Sequence, residues 1–211
     1  MQHYYKMNDE MKQAAERGDI SEFSQLIAGD VHLLEHIDRL LYAQTPLHIA
    51  ASAGRIEFAM EMIGLKPSFA YKLNPEGLSP IHLALQKKKI QLVKRLLQFD
   101  GDLVRVKGRN QETPLHYLVK ENYDLDLLEE FILLRPDSIA DKTVQDETAL
   151  HIALKNNKLQ AFKFLVEWIR RNQFKNAAFY EKEILNLQDN DGNTVLHIAV
   201  SRKQTEASSL H

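Results

Sequence analysis

Thr45-Pro46-Leu47-His48-Ile49-Ala50 decides how this chain folds, because the chain writes it five times. The later copies are Ser79-Pro80-Ile81-His82-Leu83-Ala84, Thr113-Pro114-Leu115-His116-Tyr117-Leu118, Thr148-Ala149-Leu150-His151-Ile152-Ala153 and Thr194-Val195-Leu196-His197-Ile198-Ala199. Their opening residues are spaced by 34, 34, 35 and 46 residues. Each copy reads as the start of a helix. The Thr or Ser hydroxyl accepts from an orphan backbone N–H of the first turn. Pro at the first helical position gives up an N–H that has no partner there, and its φ already suits the helix. Ala149 and Val195 replace that Pro in the last two copies, with some loss of preorganisation. The Leu and Ala positions face neighbouring repeats, and the small Ala lets two helices approach closely.

Each helix needs a stop. Four residues after the motif Ala stands Gly54, and the matching positions hold Lys88, Asn122, Asn157 and Lys203. Gly and Asn tolerate the left-handed conformation that ends many helices. Lys88 and Lys203 do not, which predicts mild strain at both. Ala14-Ala15-Glu16-Arg17-Gly18 matches Ala50-Ala51-Ser52-Ala53-Gly54, so a further repeat with a degenerate opening precedes the first full motif. Second helices are expected over 56–63, 90–97, 125–134 and 159–168. Ile90, Val93, Leu96 and Leu97 carry the apolar stripe of an amphipathic helix. Asn74-Pro75-Glu76-Gly77, Gly108-Arg109-Asn110 and Asp189-Asn190-Asp191-Gly192 are turn signals between repeats and predict projecting hairpin-like loops.

A period near ~33 residues carrying Thr-Pro-Leu-His-x-Ala resembles the ankyrin repeat. The expected fold is therefore an all-α ankyrin solenoid. One domain is expected over 8–206: an N-terminal capping repeat at about 8–40, repeats at about 41–74, 75–108, 109–143 and 144–189, and a truncated repeat at 190–206. The last repeat lacks a second helix with a Leu-Leu pair, and 207–211 reads as an added tail.

Composition narrows the function classes. The formal charge is −2 and the pI near 6.5 across 211 residues, so no bulk basic field invites nucleic acid. There are no cysteines, which removes disulfides and thiol-ligated zinc. No stretch reaches the ~18 apolar residues of a membrane span, and Met1-Gln2-His3-Tyr4-Tyr5-Lys6 has no apolar signal region.

Several phrases are more specific. Lys66-Pro67-Ser68-Phe69-Ala70-Tyr71-Lys72-Leu73-Asn74 leads into Gly77-Leu78-Ser79-Pro80. Val104-Arg105-Val106-Lys107-Gly108-Arg109 precedes the third motif. Glu183-Ile184-Leu185-Asn186 and Asp191-Gly192-Asn193 precede the fifth. Together they resemble the plant ankyrin-repeat membrane proteins with a C-terminal PGG-type transmembrane domain, in the "bian da" group related to the accelerated-cell-death ankyrins. The resemblance implies a cytosolic ankyrin array in immune and cell-death signalling at the plasma membrane. It also implies C-terminal membrane helices that this sequence does not contain, so this chain alone is expected to be soluble.

Neither a catalytic set nor a cofactor site stands out. There is no Cys nucleophile, Gly-x-Ser-x-Gly turn or Gly-rich phosphate loop. The motif residues Thr45, His48, Ser79, His82, Thr113, His116, Thr148, His151, Thr194 and His197 are read as structural, each imidazole bonding loop backbone. Repeats advance by roughly ~10 Å, whereas zinc ligands sit about ~2 Å from one ion, so neighbouring motif histidines should not share a metal. Binding is the stronger expectation. On the concave face the candidates are Gln86, Lys87, Lys120, Glu121, Lys155, Asn156 and Arg202. Lys87, Lys120, Lys155 and Arg202 recur seven or eight residues after the cap. They read either as a basic stripe for an acidic or phosphorylated segment of a partner protein or as lysines offsetting helix C-terminal dipoles. Loop-tip candidates are Leu41, Tyr42, Gln44, Leu78, Arg109, Asn110 and Glu112. Leu41, Tyr42 and Leu78 suit either hot-spot anchors or packing beneath the adjacent loop. Around Arg170–Lys182 an insertion interleaves Trp168, Arg170, Arg171, Phe174, Lys175, Phe179, Tyr180 and Lys182. It reads as an extended second helix with a packed aromatic face, with membrane-surface contact as the other reading. The functional expectation is a non-enzymatic protein-recognition module. The alternative is a small-molecule or ion-sensing domain that regulates a membrane domain.

Overall fold

The computed structural model describes residues 2–30, 32–121, 125–171 and 182–208, with side chains described at 9–30, 32–121, 125–171 and 182–202. The expected stop at Asn122 and the insertion residues Phe174, Lys175, Phe179 and Tyr180 lie outside them. Among the described residues every regular element is helical, giving the all-α repeat fold. The chain divides into two compact units, Met1–Arg109 and Asn110–His211.

The first unit holds α1 (Gln2–Arg17), α2 (Ile20–Gly29), α3 (Leu33–Arg39), α4 (Pro46–Ala53), α5 (Ile56–Leu65), α6 (Pro80–Gln86) and α7 (Ile90–Phe99). Helix α4 packs against α1 on one side and α6 on the other, while α5 packs against α7. Ala14, Ala50 and Ala84 are fully buried along the first helices, as their small size allows. The second helices supply bulk. Phe23 of α2 meets Phe58 of α5 edge to face, ring centroids 4.9 Å apart, and Leu92, Val93, Leu96 and Leu97 of α7 are all buried.

The second unit holds α8 (Pro114–Glu121), α9 (Leu125–Leu134), α10 (Ala149–Lys155), α11 (Leu159–Arg171) and α12 (Val195–Ser208). Helix α10 lies between α8 and α12 and also packs on α11. At 13 residues α11 is longer than the ten-residue α9, and Trp168 on it is buried beside Leu165 and Ile169. The helix runs past the expected end at 168 to Arg171; the rest of the expected aromatic face lies outside the described residues.

The stops behave as the residue types require. Gly18 and Gly54 sit at φ 78° and 76°, and Lys88 and Asn157 are left-handed at 56° and 57°. In each case the next residue donates its N–H to the motif Ala or its equivalent: Asp19 to Ala14, Arg55 to Ala50, Lys89 to Ala84 and Lys158 to Ala153, at 2.7–2.9 Å. The expected stop at Lys203 does not form, because α12 runs through it to Ser208.

Candidate partner-binding surface

Helices α4, α6, α8, α10 and α12 are each clamped at their start by a Thr–His or Ser–His box. The amide of Thr45 donates to Nδ1 of His48 at 3.2 Å, and the two side chains meet at 2.7 Å. Ser79–His82, Thr113–His116, Thr148–His151 and Thr194–His197 repeat both contacts. An Nδ1 that accepts a backbone N–H leaves the proton on Nε2. That N–H then donates onward into the following loop. His48 reaches the carbonyls of Lys72 and Leu78 at 3.1 and 3.0 Å, His116 that of Asp141 at 3.2 Å, and His151 that of Asn193 at 3.2 Å. His82 lies against Gly108, where a Cβ would come within 3.0 Å of the ring. Burial holds His48 and His116 down to about 4, against the raising effect of the carbonyls they bond. His48, His116 and His151 thereby pin the loops that follow them, whereas His197 was expected to do the same and among the described residues bonds only its own cap residue, Thr194. The box itself, with Nδ1 serving the cap residue, was legible as a Thr-x-x-His spacing.

The loops are held rigid by three related turns. In one, Asn74 accepts the N–H groups of Glu76 and Leu78 on its Oδ1, and Gly77 turns at φ 76°. Asp189 does the same for Asp191 and Asn193. Thr143 serves Gln145 and Glu147 with its hydroxyl, and there the left-handed residue is Asp146 rather than Gly. No Gly marks that turn in the sequence, which is why it was missed. Neighbouring loops are stitched together by backbone bonds: Ala43 to Leu73 and Arg109 to Gly77 in the first unit, Val144 to Asn110 and Asn190 to Gln145 in the second.

On this frame the tip candidates separate. Leu41 is 82 % exposed and Tyr42 55 %, whereas Leu78 is 5 % exposed and packs inward. Leu78 thus takes the second of its two roles. Gln44 is exposed and accepts from the Asn74 amide at 3.1 Å. Arg109 and Asn110 are exposed, and Glu112 is half-buried.

The helix-end candidates separate by charge. Gln86, Lys87, Glu121 and Asn156 are exposed. Lys120 pairs with Glu112 at 3.6 Å. Lys155 pairs with Glu147 at 2.6 Å and with Asp189 at 2.8 Å. The Asp189 side chain is only 1 % exposed. Burial would raise its pKa, but the Lys155 ammonium and the Asn193 and Asp191 amides outweigh that and hold the carboxyl below the usual range. Arg202 donates to the Leu154 carbonyl. Three of the four recurrent basic residues are thus engaged within the second unit. Among the described residues no group of His, Asp or Glu is arranged for a metal, and no helix is long and apolar enough to cross a membrane.

Helix pairs, glycine-type stops and loops pinned by buried histidines define a helical-repeat protein. More particularly, the chain belongs to the ankyrin-repeat family: a family model described as ankyrin repeats (3 copies) matches residues 11–105 and 115–210. It is similar to ankyrin repeat-containing protein BDA1 of Arabidopsis thaliana, 41% identical over 73 residues, 35% of this chain and 17% of that protein. It is also similar to inversin of Canis lupus familiaris, 30% identical over 190 residues, 89% of this chain and 16% of that protein. The chain spans about a sixth of the length of these relatives. A solved structure titled "Bd0816 Predatory Endopeptidase from Bdellovibrio bacteriovorus in complex with immunity protein Bd3460" superposes with a TM-score of 0.67 at 18% identity, covering 93% of each chain. That likeness is one of fold alone. Ankyrin repeats are a protein–protein interaction fold, and this chain is a module of that kind.

Proposed function

We propose that this chain is the recognition part of a larger plant immune or cell-death signalling protein, carried on PGG-type membrane helices at the cytosolic face of the plasma membrane. The stretch shared with the plant protein BDA1 and the phrases around Lys66–Pro80 and Asp191–Ala199 support that setting. The reading includes no catalytic step. The observation that carries recognition is the pair Leu41 and Tyr42, large apolar groups exposed at 82 % and 55 % beside a loop junction fixed by the Ala43–Leu73 bond. Such groups act as anchors when they enter a partner's pocket, and a preformed frame spares the ordering cost of binding.

A crosslinking pull-down from plant membrane extract tests this, with the wild-type chain beside a Leu41→Ser/Tyr42→Ser double variant. Both positions are exposed, so the variant is expected to fold normally and to lose a specific protein that the wild type captures. Identical captures would move recognition away from this tip. No specific capture would overturn the recognition reading.

A further inference from the structure

The basic residues that recur at the ends of the first helices are not equivalent, and the difference has a regular cause. In the repeats opening at Thr113 and Thr148, the residue before the cap is Glu112 or Glu147, and the residue seven after the cap is Lys120 or Lys155. Each Lys reaches its own Glu. In the repeat opening at Ser79 both members are missing: Leu78 stands before the cap and is buried, and Gln86 stands seven after it. The next three residues are Lys87, Lys88 and Lys89. Among the described residues none of their ammonium groups has an ion-pair or hydrogen-bond partner. Residues 86–95 hold five basic side chains and no acidic one.

The turn that carries the three lysines is rigid. The amides of Lys87, Lys88 and Lys89 donate to the carbonyls of Leu83, Leu85 and Ala84 at 2.8–2.9 Å. Those bonds occupy the carbonyls of Leu83, Ala84 and Leu85 at the end of α6, so offsetting orphan carbonyls does not require three cations. The Lys89 stem lies over Gly54, its Cδ within 2.8 Å of where a Cβ would stand. Lys88 holds a left-handed φ of 56°, a conformation that is strained for a residue with a Cβ. At the matching position the other described stops use Gly18, Gly54 or Asn157. Strain held in a fixed, unneutralised cationic turn is an outlier that calls for a functional reason.

We propose that Lys87, Lys88 and Lys89 form the anion-recognition site of this module, and that the site takes a phosphorylated segment of a partner protein. Lysine binds phosphate as a compact point charge, and three of them on one turn match the roughly −2 charge and the acceptor oxygens of a phosphoserine. Glu112 and Glu147 keep Lys120 and Lys155 out of that role, so the site is confined to one repeat. This rests on the recognition reading above and names its chemistry.

The test is fluorescence anisotropy with two labelled peptides, one carrying a phosphoserine between aspartates and one carrying serine there, at about 0.1 M salt. The wild type is expected to bind the phosphopeptide about tenfold more tightly than its serine counterpart. A Lys87→Gln/Lys88→Gln/Lys89→Gln variant with unchanged circular dichroism should lose about tenfold in affinity, and Lys120→Gln should lose nothing. Equal affinity for the two peptides, equal binding by the triple variant, or an equal loss in Lys120→Gln would each overturn the site. So would phosphatidylserine vesicles that bind through these lysines while the phosphopeptide does not. If the triple variant still captures the partner that the Leu41/Tyr42 variant loses, the lysine site falls and the recognition reading stands.

Discussion

The repeat that opens at Thr148 and the one that opens at Thr194 begin with nearly the same words and end in different environments. Leu150 is fully buried and Leu154 is 4 % exposed, whereas their counterparts Leu196 and Val200 are 68 % and 50 % exposed. His151 sends Nε2 to the Asn193 carbonyl, while among the described residues His197 bonds only its own cap residue, Thr194. The cause is the neighbour. Helix α12 covers α10, and among the described residues nothing covers the equivalent face of α12. That face is an open cleft of about 350 Å³ lined by Asn193, Leu196, His197, Val200 and Ser201. The motif sets up a helix, and the next repeat completes its burial. This is the nearest-neighbour logic of repeat proteins.

The largest effect that would break this comparison lies in its two leucines. Leu150→Ala should cost about 2–5 kcal/mol, as buried Leu truncations do. Leu196→Ala should cost under about 1 kcal/mol, because little area is withdrawn from water there. Urea unfolding of both variants checks it, and equal losses would mean that α12 is covered in solution.

Acid sharpens the same contrast. His48 and His116 have folded pKa values near 4 against 6.5 unfolded, chiefly through burial, and His151 is lowered for the same reason. The unfolded chain therefore binds protons that the folded chain refuses. The stability these neutral imidazoles contribute is complete above 6.5 and is lost as pH falls toward about 4. The loss approaches on the order of 3 kcal/mol for each of His48 and His116. Asp189, with its lowered pKa, contributes above its ordinary 3.8 and loses that contribution only at lower pH, so the two windows are separable. Unfolding midpoints followed by circular dichroism across both windows test this. A flat profile between 6.5 and 4 would show that the histidine boxes open without cost.

A smaller effect sits where the two repeats join. Lys155→Met removes the partner of a nearly enclosed carboxylate. Because Lys155 itself is 35 % exposed, solvent screens part of the loss, and about 1 kcal/mol is expected. Lys120→Met, whose partner lies 3.6 Å away, should cost less than half of that. Thermal unfolding of both variants at low and high salt would reveal the difference.

What the sequence made legible was what each repeat says to itself. Caps, second helices and the stops at Gly54, Lys88 and Asn157 are local patterns, and they stand where the spacing placed them. What it hid depends on partners far along the chain. Leu78 and Leu41 are both apolar residues near loop tips, and only the packed loop sends one inward. Lys155 looks free until Asp189, 34 residues on, is folded beside it. The stop at Lys203 was expected from the register, yet α12 continues through it. Glu112–Lys120 and Glu147–Lys155 did carry a signal, an eight-residue spacing that occurs in two repeats and is absent from the repeat between Leu78 and Gln86.

The smallest predicted effect concerns the stops that α4, α6 and α10 share and α12 lacks. Replacing Lys88 by Gly relieves a left-handed Cβ worth about 1 kcal/mol, but it loosens the unfolded chain by about 0.5–1 kcal/mol. The net gain should be no more than about 0.5 kcal/mol. Asn157→Gly should gain nothing, since Asn already tolerates that conformation. The measurement has value because Lys88 also belongs to the proposed anion site. If the strain is retained for binding, Lys88→Gly should raise the melting temperature slightly while weakening the phosphopeptide, an opposition expected where stability is exchanged for function. A variant that is both more stable and equally avid would leave the lysine at that stop without a functional reason. It would return the repeat of α6 to the same footing as those of α4 and α10.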